Sequence, residues 1–363
     1  MKVLIAPDSF KGSLTSVQVA RALAEGWARV RPGDQIVLCP LADGGEGTLE
    51  AVAAAGGWTI QEAEVGDPLG RPIRARWLRS GDGRTAVVEM AEASGLSRLA
   101  ADELDPVGAT SIGTGELMRA ALDAGCRHVV LGIGGSATTD GGRGILDALG
   151  AVTAGATVDL DALDPRLTRV SLEVACDVSN PLLGDRGAAA TYGPQKGATP
   201  ELVELLDRRN AAWADALEAA ADRDVRAVPG AGAAGGVGFA MLAIAGRFGR
   251  FALRPGVELV METVGFAKHL TESDLVITGE GRIDAQTAFG KTALGVARGA
   301  RAAGVRCVAV GGGVEPEGVE ALGRLGVTVV PVWEHPVPVD VAMAAGAAPL
   351  VECGARIAAA GID

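Results

Sequence analysis

The sequence predicts an α/β protein, with a parallel-sheet domain built from both ends of the chain and a second α/β domain inserted into it. Three observations carry this reading. Short apolar, β-branched runs alternate with helical stripes at the start of the chain. A hairpin pattern replaces that alternation near residue 60. The alternation then resumes near residue 272 and continues to the end. The expected division is residues 1–60 with 272–363 in one discontinuous domain, and 61–271 in the insert.

The elements follow in order. "KVLIAP" reads as a buried strand. Residues 16 to 30, "SVQVARALAEGWARV", place Val19, Ala22, Leu23 and Trp27 on one helical stripe, with Thr15 or Ser16 as N-cap. "QIVLCPL" is a second strand, and "EGTLEAVAAAG" a second helix ending at Gly56 and Gly57. This βαβα order is the signature of a parallel sheet covered by helices. From residue 60 to 90, turn signals at Gly66-Asp67-Pro68 and Gly81-Asp82-Gly83 separate strand-like runs. A helix near 114–124, the strand "HVVLGI", a glycine loop and the strand "LEVACDV" follow. Thr199 and Pro200 open a helix over 200–221 as N-cap and first residue. "PGAGAAGGVG" (229–238) reads as a flexible connection or a backbone-rich wall. "DLVITG", "RCVAVGG" and "VTVVPV" are the closing strands, each followed by a helix.

Composition narrows the function. A chain of 363 residues suits two domains or one large one. Aromatics are 3% of it, so Val, Leu, Ile and Ala must fill the core. The net charge of −12 argues against nucleic acid and anionic membranes as partners. "MKVLIAPDSF" turns polar too soon for a signal peptide, and the Ala-rich stretch 341–361 carries Glu352 and Arg356, so it reads as a packed helix. The five cysteines are scattered without C-x-x-C and read as buried thiols, which points to the cytoplasm.

Four groups of residues could carry chemistry. "AQTAFGKT" (285–292) is one glycine short of a P-loop, with Ala285 in its place. It also lies several residues beyond its strand, whereas a P-loop follows the strand directly. Lys291 at a helix start would still meet an anion well. "LGIGGSATTDGGRG" (131–144) matches a dinucleotide fingerprint only weakly. Its glycines, with Ser136, Thr138 and Thr139, suit a phosphate nest better. Polar clusters follow three strands: Asp8, Ser9 and Lys11; Asp43 and Glu46; Glu280, Arg282 and Asp284. Open α/β sheets bind ligands outside the carboxyl ends of their strands, so these clusters could share one rim. Any one of the acids alone is most often a helix cap. Asp177 and Asn180 could touch a ligand and Lys196 could meet a phosphate, but their polar loops serve equally well as turns. His128, His269 and His335 lack metal-ligand spacing.

Taken together, "PDSFKGSLT", "ADGGEGT", "GIGGSATTDGG", "DVSNPLLG", "YGPQKGA", "PGAGAAGG" and "TGEGRIDAQTAFGKT" resemble, in this order and over essentially the whole chain, the bacterial glycerate kinases of the first type. Ala293 departs from the proline that relatives often carry after "GKT". The resemblance implies a flavodoxin-like domain interrupted by a second α/β domain, with the site in the cleft between them. It implies ATP-dependent phosphorylation of D-glycerate to 2-phosphoglycerate, with Mg²⁺, by a monomer or homodimer. On that reading Gly134, Gly135, Ser136 and Thr138 take the nucleotide phosphates, with Lys291 supplying charge. Asp284 is the favoured base and Asp8 the other catalytic acid. Asp43 and Glu280 serve the metal, while Ser9, Lys11 and Arg282 serve the substrate. The rivals are a kinase of another small hydroxy acid and a non-catalytic sensor of a phosphorylated acid.

Overall fold

The structure is a computed structural model that describes residues 1–361 except 156, 286, 288–291 and 336. Lys291 therefore lies outside the described residues. In chain order the strands are β1 (Lys2–Ile5), β2 (Gln35–Leu38), β3 (Trp58–Gly66), β4 (Pro72–Ser80), β5 (Thr85–Glu89), β6 (His128–Gly132), β7 (Val152–Ala154), β8 (Thr157–Asp159), β9 (Ser171–Ala175), β10 (Arg250–Arg254), β11 (Leu275–Ile283), β12 (Arg306–Val314) and β13 (Thr328–Pro331). The chain divides into two compact units. One holds Met1–Asp43, Glu50–Gly56 and Val257–Asp363; the other holds Gly44–Leu49 and Gly57–Gly256.

The first unit contains a five-stranded sheet in the order β13-β12-β11-β1-β2, and each pairing is parallel. This is the doubly wound flavodoxin-like order, and the strand order reverses between β1 and β11. Val3, Ile5, Leu275, Ile277, Val308 and Val310 make the buried face. The helix Ser16–Val30 covers it. Thr15 caps that helix, accepting a hydrogen bond from the Gln18 amide while the Gln18 side chain accepts from the Thr15 amide. Val19, Ala22, Leu23 and Trp27 are all buried, as the helical stripe requires. Gly26 lets this helix press against the last one, Ala348–Ala359. A Cβ at Gly26 would lie 1.9 Å from the Val351 carbonyl oxygen.

The second unit contains a mixed sheet in the order β10-β9-β6-β5-β4-β3. The strands from β10 to β5 run parallel, and β4 and β3 add on as antiparallel hairpins. The Asp67 carboxylate fixes the first hairpin turn by accepting from the Leu69 and Arg71 amides. The stretch 229–238 is packed backbone. A Cβ at Gly235, where φ is +67°, would fall 1.9 Å from the Thr138 carbonyl oxygen, and the Gly141 amide donates to the Gly235 carbonyl. The segment Gly44–Leu49 finds its partners inside this unit: Gly44 O accepts from Gly134 N, and the Glu89 carboxylate accepts from Gly47 N and Leu49 N. Four of the cysteines are buried and Cys176 is half-buried; all five are free thiols. Among the described residues no helix is long and apolar enough to cross a membrane.

Candidate active site

In the first unit, the carboxyl ends of β1 and β11 frame a cavity of about 930 Å³. Asp8 sits where β1 ends, and its amide donates to the Gly279 carbonyl of β11, prolonging the ladder between the two strands. Asp8, Ser9, Lys11, Asp43, Glu280 and Arg282 all line this cavity. Asp284 is not among its lining residues. The lining also includes the apolar Phe10, Val332, Trp333, Met343 and Leu350.

Asp8 is the most constrained of these groups. One carboxylate oxygen accepts from the Ser9 amide at 2.6 Å, the other from the Thr292 hydroxyl at 2.6 Å. Only 9% of the residue is exposed. Burial pushes its pKa up from 3.8 to about 6. The negative field of Asp43 adds to the rise, against the two hydrogen bonds and the Lys11 charge. Lys11 reaches Asp43 at 3.2 Å, and that carboxylate is the main reason its ammonium is held above the ordinary lysine range. Glu280 is buried and accepts from the Thr287 hydroxyl at 2.6 Å. Thr287 Oγ1 in turn accepts from the Asp284 amide. Arg282 pairs with Glu315 and lies 3.7 Å from Asp284.

The cavity wall suits a hard divalent cation. Asp8, Asp43 and Glu280 offer oxygen ligands, and the field of Asp43 disfavours a second negative charge at Asp8. Among the described residues no cluster of three His, Cys, Asp or Glu stands ready to cage a metal. Mg²⁺ needs no such cage, since it is held by one or two carboxylates, waters and substrate phosphates.

The glycine loop belongs to the second unit. Gly134 approaches so close that a Cβ there would lie 2.5 Å from Gly45 Cα. Ser136 Oγ accepts from Lys196 Nζ at 3.0 Å, and the Thr138 carbonyl accepts from the same ammonium at 2.5 Å. Gly135, just before Ser136, holds φ at +74°. Lys196 is thus turned inward beneath the loop. Of the other polar-loop residues, Asp177 accepts from the Gly256 amide, and Asn180 joins Arg186 O, Thr191 and Tyr192. His128 pairs with Glu173 at 2.8 Å.

Sequence reasoning passed over Thr287, Thr292, Glu89 and Glu315. Thr292 is the last residue of "GKT", so its position was visible, but its bond to Asp8 spans most of the chain. A P-loop hydroxyl would face a metal; this one holds a strand-end aspartate.

The Glycerate kinase family model matches residues 3–361. The chain is 44% identical over 361 residues to "Glycerate kinase" of Bacillus subtilis (strain 168), covering 92% of this chain and 94% of the relative. It is 45% identical over 317 residues to "Glycerate 2-kinase" of Escherichia coli (strain K12), covering 83% and 82%. A solved structure of a candidate glycerate kinase 2 from Salmonella typhimurium LT2 superposes with a TM-score of 0.84 at 40% identity, covering 99% of this chain and 98% of that one.

Proposed function

This chain belongs to the glycerate kinase family and is a phosphotransferase acting on glycerate, and from that premise we propose that it transfers the γ-phosphoryl group of ATP to the 2-hydroxyl of D-glycerate. The observation that carries the proposal is Asp8, a buried carboxylate with its pKa near 6 on the rim between β1 and β11. It is ionised at neutral pH and still basic enough to take a proton. The E. coli relative's printed name supports the choice of hydroxyl.

The acceptor hydroxyl loses its proton to Asp8 as its oxygen bonds to the γ-phosphorus. The bond from that phosphorus to the bridging oxygen breaks, and ADP leaves with the electron pair. Ser9 and Thr292 fix both carboxylate oxygens, so the base is oriented before the substrate arrives. Arg282, held by Glu315 in the free chain, takes the substrate carboxylate through its planar fork. Lys11 balances charge along the rim. Asp43 and Glu280 would hold Mg²⁺, which would offset the negative charge of the polyphosphate. Asp284 then acts through Arg282 and Thr287 in place of serving as the base. Gly134, Gly135, Ser136 and Thr138 receive the polyphosphate, and Lys291 adds a cation to the transferring group.

Purified protein should release ADP from ATP only when D-glycerate is present, and EDTA should stop turnover. Phosphorus NMR of the product should show the 2-phosphate ester. Turnover that persists in EDTA, or a 3-phosphate product, refutes the corresponding part.

A further inference from the structure

Lys196 has no task in the reaction just described. It closes the short turn Pro194–Lys196, and its side chain runs inward until 2% of the residue remains exposed. Two of its three ammonium protons are accounted for, one on Ser136 Oγ and one on the Thr138 carbonyl. Asp140 is the charged group whose field reaches it. That carboxylate is already engaged by the Ser111 amide and hydroxyl and by the Gly142 and Gly144 amides. On the same loop, the Thr138 and Thr139 hydroxyls are buried with no hydrogen-bond partner among the described residues. A buried ammonium without a carboxylate beside it is costly, and an apolar side chain would fill the space more cheaply. Burial accordingly pulls the lysine down to about 7.

We propose that Lys196 is the positioning residue of the nucleotide loop: it pins Ser136 and Thr138 from behind and supplies the positive charge that a bound polyphosphate matches. This rests on the reading of residues 134–138 as the phosphate loop. Once an anion sits on the loop, the charged form of Lys196 is favoured, so nucleotide binding and proton uptake are linked. At pH 8 the lysine of the free chain is mostly neutral, and binding should draw up to about one proton per site.

The test is calorimetric titration of the full chain with ADP and Mg²⁺ at pH 8, in two buffers of different ionisation enthalpy. The native protein should take up a substantial fraction of a proton. Lys196→Met should bind ADP about tenfold more weakly or worse, without that uptake, and with KM for glycerate unchanged. A lysine that only props the fold would lower the melting temperature and leave uptake and ADP affinity alone. If Lys196→Met does not fold, Lys196→Arg decides: it keeps the charge and should bind ADP with no proton uptake. Hydrogen exchange tests the loop reading separately. ADP protection over 132–140 with no uptake by the native protein overturns the role of Lys196 only. No protection there overturns the loop reading and this proposal together.

Discussion

Replacing Asp8 by Asn should abolish turnover and stabilise the protein. The folded state raises the Asp8 pKa from 3.8 to about 6. Between those values the folded chain holds a proton that the unfolded chain has released, so stability falls as pH rises through this window. Above it the loss is complete. A rise of about two units, at about 1.4 kcal/mol each, makes the deficit about 3 kcal/mol at pH 8. Asn keeps the shape and still accepts from the Ser9 amide, and the Thr292 hydroxyl can turn to accept from the new Nδ2. The variant therefore escapes the deficit. Urea unfolding of both proteins at pH 4, 6 and 8 measures it. The variant's advantage should be near zero at pH 4, grow through pH 6 and level off by pH 8. An advantage that does not change with pH, or a variant less stable than the native protein at pH 8, would refute the desolvation argument. In the same series, loss of kcat without loss of ADP binding separates a base from a structural brace.

Two further outcomes are expected. Lys291→Ala should lower kcat by about 10²- to 10³-fold, the usual effect of removing one preorganised charge contact, and steady-state kinetics with saturating glycerate would show it. Gly26→Ala should cost about 1–3 kcal/mol in urea unfolding with KM unchanged, because its Cβ would lie 1.9 Å from the Val351 carbonyl and the two helices must part.

Local signals are legible in the sequence. Thr15 and Thr199 act as caps because an N-cap is decided by a few neighbouring residues. The helical stripe through Val19, Leu23 and Trp27 is buried because periodicity alone fixes which face turns inward. The rim acids were legible as a group, since strand ends are visible in the pattern. Their ranking was not. Asp8 and Asp284 look alike in sequence; burial and the Asp43 field single out Asp8, and both arise from tertiary packing. Lys196 sits in a polar loop that the sequence leaves open between a phosphate contact and a plain turn, and only the tertiary fold turns the side chain inward onto Ser136. Glu89 and Glu315 gave no signal, because their partners lie 40 and 33 residues away.

The assignment of Gly44–Leu49 to the second unit has a consequence for engineering. The chain passes from one unit to the other four times, after Asp43, Leu49, Gly56 and Gly256. An inserted cassette with two seams can be lifted out by one deletion and one splice. Here the six residues between Asp43 and Glu50 would stay behind, and they would lose Glu89 beneath the Gly47 and Leu49 amides and Gly134 against the Gly44 carbonyl. The buried peptide groups left without partners would include one adjoining Asp43 on the cavity rim. A rearrangement that keeps Gly44–Leu49 with the second unit preserves those partners.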